Sequence, residues 1–254
     1  VNAATVTGLT GTATAINTAY AANTAGTITG LGNEAVTITG ASSAAADITT
    51  ANTNTTGVVT VNSTTITGTV AELTTVFAAN TAGTVAGLGN ESITVSDASI
   101  TVAQLNTIAG LTSGVVTATI SDNDVDTLLG ITETGHALTF TVTDTTVSAA
   151  NLNALDAKTT SAIAVTSTVI TGTAADVNTA FASAGITGLG SEAVTLTDTT
   201  LDASTLNTLN GNTSGAVNAA SVTTLTGTAA AVNTAYAQNT AGTITGLGNE
   251  AVTL

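Results

Sequence analysis

Between Leu138 and Thr143 the chain alternates without exception: Leu138, Phe140 and Val142 stand against Thr139, Thr141 and Thr143. Val194 and Leu196 alternate in the same way with Thr195 and Thr197. A period of two predicts a half-buried strand with its apolar side chains inward and its threonines outward. A second spacing follows each such stretch, in which a short polar residue is followed four positions later by an apolar one. The pairs are Thr12/Ile16, Thr69/Leu73, Thr101/Leu105, Ser148/Leu152, Thr173/Val177, Asp202/Leu206 and Thr228/Val232. Further apolar residues come at helical spacing, as Leu206 with Leu209 and Leu73 with Phe77. A hydroxyl or carboxylate that accepts the unpaired first-turn amides, followed by apolar residues at i and i+3 or i+4, predicts a short capped helix. Two places depart from the rule: Ala44 occupies a cap position, and the stretch around Asp126 is compressed.

The alternation of strand and helix is itself repeated. Residues 1–38 and 217–254 align at a constant offset of 216 with six differences: Thr5/Ser221, Gly8/Thr224, Thr14/Ala230, Ile16/Val232, Ala22/Gln238 and Ile38/Leu254. Residues 1–216 thus read as one super-repeat and 217–254 as the start of the next, within a single continuous solenoid. Eight units divide the super-repeat, at 1–33, 34–57, 58–90, 91–114, 115–136, 137–161, 162–191 and 192–216. One strand and two helical turns cannot close a core, but parallel stacking of such units can. The expected fold is a repeat solenoid of parallel β-strands with a short helix per coil, rising roughly 40 Å per super-repeat at about 4.8 Å per coil. The phrase "AGTITGLGNEAVT" (25–37, and again 241–253) then marks a glycine corner joining the helix of a long unit to the strand of the next short one.

Composition agrees with stacked strands and narrows the chemistry. Proline is absent, and a proline would remove a ladder donor wherever it fell in a stacked strand. Hydrophobic residues make up 43% and charged ones only 7%, so the chain can bury a core and is not of the disordered type. The formal charge is −15 with a single basic residue, Lys158, which argues against nucleic acid and anionic membrane surfaces. No apolar run approaches the roughly 18 residues that would cross a bilayer. The chain opens on "VNAAT" with no signal peptide, which suggests an excerpt of a longer polypeptide.

Catalytic chemistry has little to draw on. "GLGNEA" (30–35) satisfies G-x-G-x-x-[GA], but a dinucleotide site needs a helix after that motif and here a strand follows. His136 is the only histidine, and Glu133 lies near it in "TETGH" within a loop joining two units, where a solvated pair is the default. We expect no enzyme.

Two acidic patterns are compatible with calcium, the one cofactor the sequence suggests. Asp122, Asp124, Asp126 and Glu133 fall at positions 1, 3, 5 and 12 of an EF-hand-like loop. Thr127 stands where that loop requires glycine, and Leu128 and Leu129 have the look of helical core. The plainer alternative makes Asp126 an N-cap and Asp122 a corner residue. Asp97, Asp122, Asp144 and Asp198 also end their strands at one phase, which fits either calcium bridging neighbouring coils or simple corner capping. A third pattern is an outward ladder of threonines: Thr37, Thr60, Thr94, Thr117, Thr139 and Thr195 in one row, with Thr39, Thr119, Thr141 and Thr197 in the next. Flat double rows of threonine resemble those of ice-binding proteins, although Asn2, Ala4, Asn62 and Ala164 interrupt these.

Phrases such as "TGTAADVNTAF", "LGSEAVTLTDTT" and "SAANLNALDAKTT" resemble the tandem repeats of giant secreted cell-surface proteins of bacteria, marine cyanobacteria especially. The resemblance covers essentially the whole chain and brings no catalytic residues with it. It implies an extracellular or cell-surface location, a very long parent chain, possible calcium dependence, and a scaffold or adhesive role. The expected function is a segment of a stalk, surface layer (S-layer) or filament, with neighbouring copies or flanking repeats as partners, and no nucleic acid or membrane insertion. The alternative is an adhesin or ice-binding solenoid that uses the threonine ladder.

Overall fold

Each capped stretch forms a helix in the computed structural model, which describes residues 1–254. Val194–Thr197 forms the strand Ala193–Leu196 as expected, whereas Leu138–Thr143 is split at Phe140 into the strands Ala137–Thr139 and Thr141–Val142 of two different sheets. Strands and helices alternate along the chain, and every named strand pair is parallel. The architecture is therefore α/β with several all-parallel sheets. Contacts divide the chain into two units, Val1–Ser121 with His136–Leu138, and Asp122–Gly135 with Thr139–Leu254. No helix is long and apolar enough to cross a membrane.

In the first unit, helices α1 (Ala13–Thr24), α2 (Ala45–Asn54), α3 (Val70–Ala82) and α4 (Val102–Ala109) alternate with two sheets. One sheet runs Gly8–Gly11, Ala35–Ile38, Val59–Val61, Val85–Ala86; the other contains Ser42–Ala44, Thr65–Gly68, Ser92–Val95 and Val116–Thr119. The register places Leu9, Val36, Val59 and Val85 in one row. Ile66, Ile93 and Val116 form another. Val36, Val59 and Val85 of the first row and all three residues of the second are buried, as are Ile16, Ile48, Leu73 and Leu105 on the helices above them. Strands of two to four residues have too few ladder bonds to stand alone. Burial of each Val, Ile or Leu, worth about 1.5–3 kcal/mol, supplies the difference.

The second unit repeats this plan. Helices α5 (Val125–Leu128), α6 (Ala149–Asp156), α7 (Ala174–Ala182), α8 (Ala203–Asn212) and α9 (Ala229–Ala241) alternate with three parallel sheets. These are Thr141–Val142, Ile163–Val165, Ile186–Thr187; Thr146–Ser148, Val169–Gly172, Ala193–Leu196, Val217–Asn218, Ile244–Thr245; and Thr200–Asp202, Thr224–Thr226, Ala251–Thr253.

All seven predicted caps accept a first-turn amide through their side chains, from Thr12, Thr69, Thr101, Ser148, Thr173, Asp202 and Thr228. Ala44 caps α2 with no side-chain bond, as its methyl dictates. At α5 the cap is Asp124, which accepts from Thr127, and Asp126 lies inside the helix; the plainer reading of Asp126 as the cap was two residues late.

The segment lengths change meaning in three dimensions. Gly8 pairs with Ala35, Val36 with Val59, Thr65 with Ser92 and Val217 with Ile244, offsets of 27, 23, 27 and 27 residues. Paired strands are thus separated by similar lengths, where the sequence alternates short and long units. The added length of a long unit lies in a short strand after the helix (Val85–Ala86, Ile186–Thr187 or Ile244–Thr245) and in the glycine corner that follows it. That corner carries the chain from one sheet to the next: Val85 pairs with Val59, whereas Ser92, just beyond the corner, pairs with Thr65. The corner is therefore flanked by strands on both sides and does not follow the helix directly.

Candidate functional site

The glycine corners hold the most buried charged groups of the chain. Glu34, Glu91 and Glu192 follow "GLGN" or "GLGS" and are buried. Each carboxylate turns back into its own corner. Glu34 accepts from the Gly32 amide at 2.9 Å with both oxygens; Glu91 accepts from Gly89 and Asn90 at 2.8 and 3.2 Å, and Glu192 from Gly190 and Ser191 at 2.7 and 3.1 Å. Glu250 repeats the arrangement with Gly248 and Asn249 at 2.6 and 3.0 Å. Backbone amides converging on an anion offset the desolvation of a buried carboxylate. The first glycine of each corner, Gly30, Gly87, Gly188 or Gly246, sits at φ of 91, 90, 89 or 87°, where a side chain is strained. The amides that a dinucleotide loop would present to phosphate are here occupied by the chain's own glutamate.

The corner is clamped from behind and locked from in front. Asn23, Asn80 and Asn239, each near a helix end, both donate to and accept from the backbone of the corner leucine, Leu31, Leu88 or Leu247. The lock comes from the segment after the next helix. Thr55, Thr112 and Thr213 donate their hydroxyls to the carbonyls of Glu34, Glu91 and Glu192 at 2.6, 2.6 and 2.7 Å. The same hydroxyls accept from the amides of Gly57, Gly114 and Gly215. The residue between donates to the corner: Thr56 to the Gly32 carbonyl, Ser113 to Gly89 and Ser214 to Gly190, each at 2.9 Å. A Cβ at Gly57, Gly114 or Gly215 would stand 2.2 Å from the glutamate carbonyl oxygen. Thr-x-Gly is thus what close approach of two backbones demands.

No family model, curated protein or solved structure matches this chain. The site is accordingly read from its own chemistry.

Two of the four corners carry a phenol. Tyr20 donates to Glu34 at 3.1 Å, and Tyr236 holds the same place eight residues after its cap; Phe77 and Phe181 stand eight residues after theirs. Burial alone would raise the Glu34 pKa, but the corner amides and the Tyr20 hydroxyl outweigh it and hold the carboxyl below its usual range. Glu250 is lowered by the same balance. Burial raises Tyr20, with the bond and charge of Glu34 adding to it and a Thr55 bond opposing it. The neighbouring Glu250 carboxylate, then burial, pushes Tyr236 up to about 12.

The acidic residues singled out for calcium are not gathered into a cluster: no three His, Asp or Glu side chains stand together as a metal site would require. Asp97, Asp144 and the same-phase Asp198 instead accept the first amides of α3, α5 and α7, those of Val70, Val125 and Ala174, at 2.7, 2.9 and 2.8 Å. Each of these helices has two acceptors, its own cap for a later amide and an aspartate of the following segment for the first. Asp124 is held below the usual carboxylate range by the Thr127 amide and hydroxyl. Asp122 is half-buried, and Asp126 and Glu133 are exposed. A helix with Val125 and Leu128 buried occupies the middle of the would-be EF-hand loop.

Nor does the threonine ladder run as one column. Thr37 stands beside Thr10 and Thr60, and Thr60 beside Ala86. Thr94 stands beside Thr67 and Thr117 in the other sheet. Thr141 adjoins Ala164, and Thr195 lies between Thr171 and Asn218. The cause is the strand change at the glycine corner, which breaks the row between Thr60 and Thr94. Thr39 and Thr197 are used as backbone donors to Gly11 and Gly172. Thr119 and Thr139 are exposed.

His136 is not part of a solvated pair. It is buried, and its Nδ1 accepts the Val116 amide at 3.2 Å. The Lys158 ammonium donates to the Ile131 carbonyl.

One recurring feature escaped the sequence reading. The asparagine five residues after a cap donates to the carbonyl three residues after the next cap: Asn17 to Asp47, Asn153 to Asp176, Asn178 to Thr205 and Asn207 to Ala231. The signal was present in "INTAY", "LNALD", "VNTAF" and "LNTLN". An amide side chain at a fixed distance from a cap, on a face that otherwise packs, points to a neighbouring helix end.

Proposed function

We propose that this chain is a structural segment of a long extracellular or cell-surface repeat protein, a stalk, surface layer or filament, folded as a stacked solenoid. The observation that carries the reading is the locked corner, Glu34 with Thr55–Gly57, repeated at Glu91 with Thr112–Gly114 and Glu192 with Thr213–Gly215. A bond set that recurs between three corners and the segment after the next helix serves continuity from segment to segment. The resemblance of the repeat phrases to giant secreted bacterial proteins supports the location.

Side-chain functions point the same way. Asp97, Asp144 and Asp198, the helix asparagines, the buried glutamates and the lock threonines bond neighbouring backbone. Adhesion or ice binding through the outward threonines is the weaker reading. Its rows are interrupted by smaller residues, Thr10–Thr37–Thr60 by Ala86 and Thr67–Thr94–Thr117 by Ala44.

Small-angle scattering on chains of one and two consecutive super-repeats tests the solenoid. The expected result is an unchanged cross-section and a maximum dimension longer by roughly 40 Å, from about 4.8 Å per stacked strand. Two compact bodies joined without that increment would overturn it. A thermal hysteresis assay at high protein concentration decides the ice reading, which a null result removes.

A further inference from the structure

One backbone position recurs from strand to strand and is satisfied in two different ways. The amides of Val36, Ile93 and Val194 donate to the carbonyls of Val58, Val115 and Ala216, at 3.0, 2.9 and 3.0 Å. Each acceptor is the residue just before the neighbouring strand, and Val59, Ile163 and Val217 follow the same rule. Val116 holds this place in Val116–Thr119, but its amide donates to a side chain, the Nδ1 of His136, at 3.2 Å. His136 directly precedes Ala137–Thr139, the strand beside Val116–Thr119. A titratable ring nitrogen thus stands where the other six positions have a carbonyl oxygen.

His136 also takes the place of a corner glutamate. It directly precedes its strand as Glu34, Glu91 and Glu192 precede theirs, and it is buried as they are. A nitrogen that accepts an N–H carries no proton, so the closed structure holds the neutral imidazole. Protonation at Nδ1 would set N–H against N–H and place a cation in a buried site. Val116–Thr119, Ala137–Thr139 and helix α4 carry no charged residue. Glu133, in the loop before His136, and Asp126 of α5 are exposed. Glu91, which precedes the strand two places away in the sheet, is bonded to the Gly89 and Asn90 amides. Asp122 follows the far end of Val116–Thr119.

We propose that His136 is an acid-sensitive latch, closed while its imidazole is neutral and released on protonation, which frees the Val116 amide and loosens Ala137–Thr139 from Val116–Thr119. The closed form holds no proton at Nδ1, whereas the opened form takes one up below about pH 6.5, the ordinary value for an exposed imidazole. The latch is therefore complete above that pH and weakens about tenfold for each pH unit below it. Positions with a carbonyl acceptor have no such dependence. The device works within one sheet, and neither the stacking of repeats nor a cell-surface location enters it.

The test is amide hydrogen exchange of the whole chain between about pH 7.5 and about pH 5, on either side of the histidine value and above that of the carboxylates. After correction for the intrinsic exchange rate, opening at Val116 is expected to be roughly thirtyfold more frequent at the lower pH, with the Ile93 amide unaffected. His136→Asn supplies an acceptor oxygen that takes up no proton in this range, so Val116 should then stay equally protected throughout. His136 is the only histidine, so its ring nitrogens give unambiguous resonances, and a proton-free Nδ1 is expected at neutral pH. Acceleration at Val116 no greater than at Ile93, or undiminished in His136→Asn, overturns the proposal. A protonated Nδ1 at neutral pH overturns it as well.

Discussion

Gly114→Ala isolates the locked corner. The methyl group that alanine adds at this position would lie 2.2 Å from the Glu91 oxygen, 2.5 Å from its carbonyl carbon and 2.8 Å from the Ser92 nitrogen, all backbone atoms that cannot rotate aside. Gly114 is not among the glycines with positive φ, so the cost is contact and not conformation. Relief requires the two backbones to part, which loosens the Thr112 hydroxyl bond to Glu91 and the Ser113 amide bond to Gly89, at 2.6 and 2.9 Å. Overpacking costs about 1–3 kcal/mol, and each weakened hydrogen bond about 1 kcal/mol. The sum of about 3 kcal/mol corresponds to roughly a hundredfold faster exchange of the Ser113 amide through local opening. Gly110→Ala, four residues away, is the control: its nearest neighbour is the Asn106 oxygen at 3.5 Å and its φ is −67°. That change is expected to be neutral or to stabilise by about 0.4–1 kcal/mol. Exchange of Ser113 in Gly114→Ala within about threefold of the parent chain, well under 1 kcal/mol, would refute the close-approach argument.

Other consequences are as direct. Tyr20 and Tyr236 are raised above the ordinary phenol value, so their contribution is complete below about pH 10 and is lost as pH climbs toward the raised values. Melting temperature should therefore fall on the alkaline side, and Tyr20→Phe with Tyr236→Phe should flatten that limb. Glu34 and Glu250 are lowered, so their contribution is present above about pH 4.3 and disappears with acid; Glu34→Gln should shallow the acid limb of the same melting profile. The Ser167 hydroxyl is buried without a hydrogen-bond partner, whereas Ser43 and Ser63 bond each other at 2.7 Å. Ser167→Ala should raise stability by up to about 1 kcal/mol and Ser63→Ala lower it by about 1–2 kcal/mol in urea titrations. Thr49 stands five residues after the α2 cap, where other helices carry asparagine, and its hydroxyl is buried and unbonded. Thr49→Asn should add a bond to the Glu72 carbonyl and stabilise by about 0.5–1.5 kcal/mol. Because aspartates cap helix amides, excess chelator should leave the melting temperature unchanged; a fall that calcium reverses would restore the bridging role.

Much of the local structure was legible in the residue order. Period-two stretches such as Val194–Thr197 and the seven cap-plus-four pairs identify strands and helix starts, because backbone pleat and first-turn amides impose those spacings on any chain. Nothing in Leu138–Thr143, however, shows that it divides at Phe140 between two sheets. The phase of Asp97, Asp144 and Asp198 was visible too, together with corner capping as one of its two meanings. The offset of 216 between the two copies, and the glycine corner within them, required nothing but comparison of letters.

What the sequence could not decide is which strand lies beside which. Lateral pairing depends on where the corner delivers the chain, and a shift of one strand leaves every local spacing intact. Hence Thr60 and Thr94, consecutive in the expected ladder, stand in different sheets. Glu34, charged and next to two glycines, reads as a solvated corner residue until the segment carrying Thr55 and Gly57 closes over it. His136 likewise reads as a loop residue until the Val116 amide meets it. Sequence determined the parts, since strand, helix and turn follow from neighbours a few residues apart. Tertiary structure alone decided burial and partnership, because those depend on residues some 21 positions away in the lock and 23 to 27 positions away across the sheets.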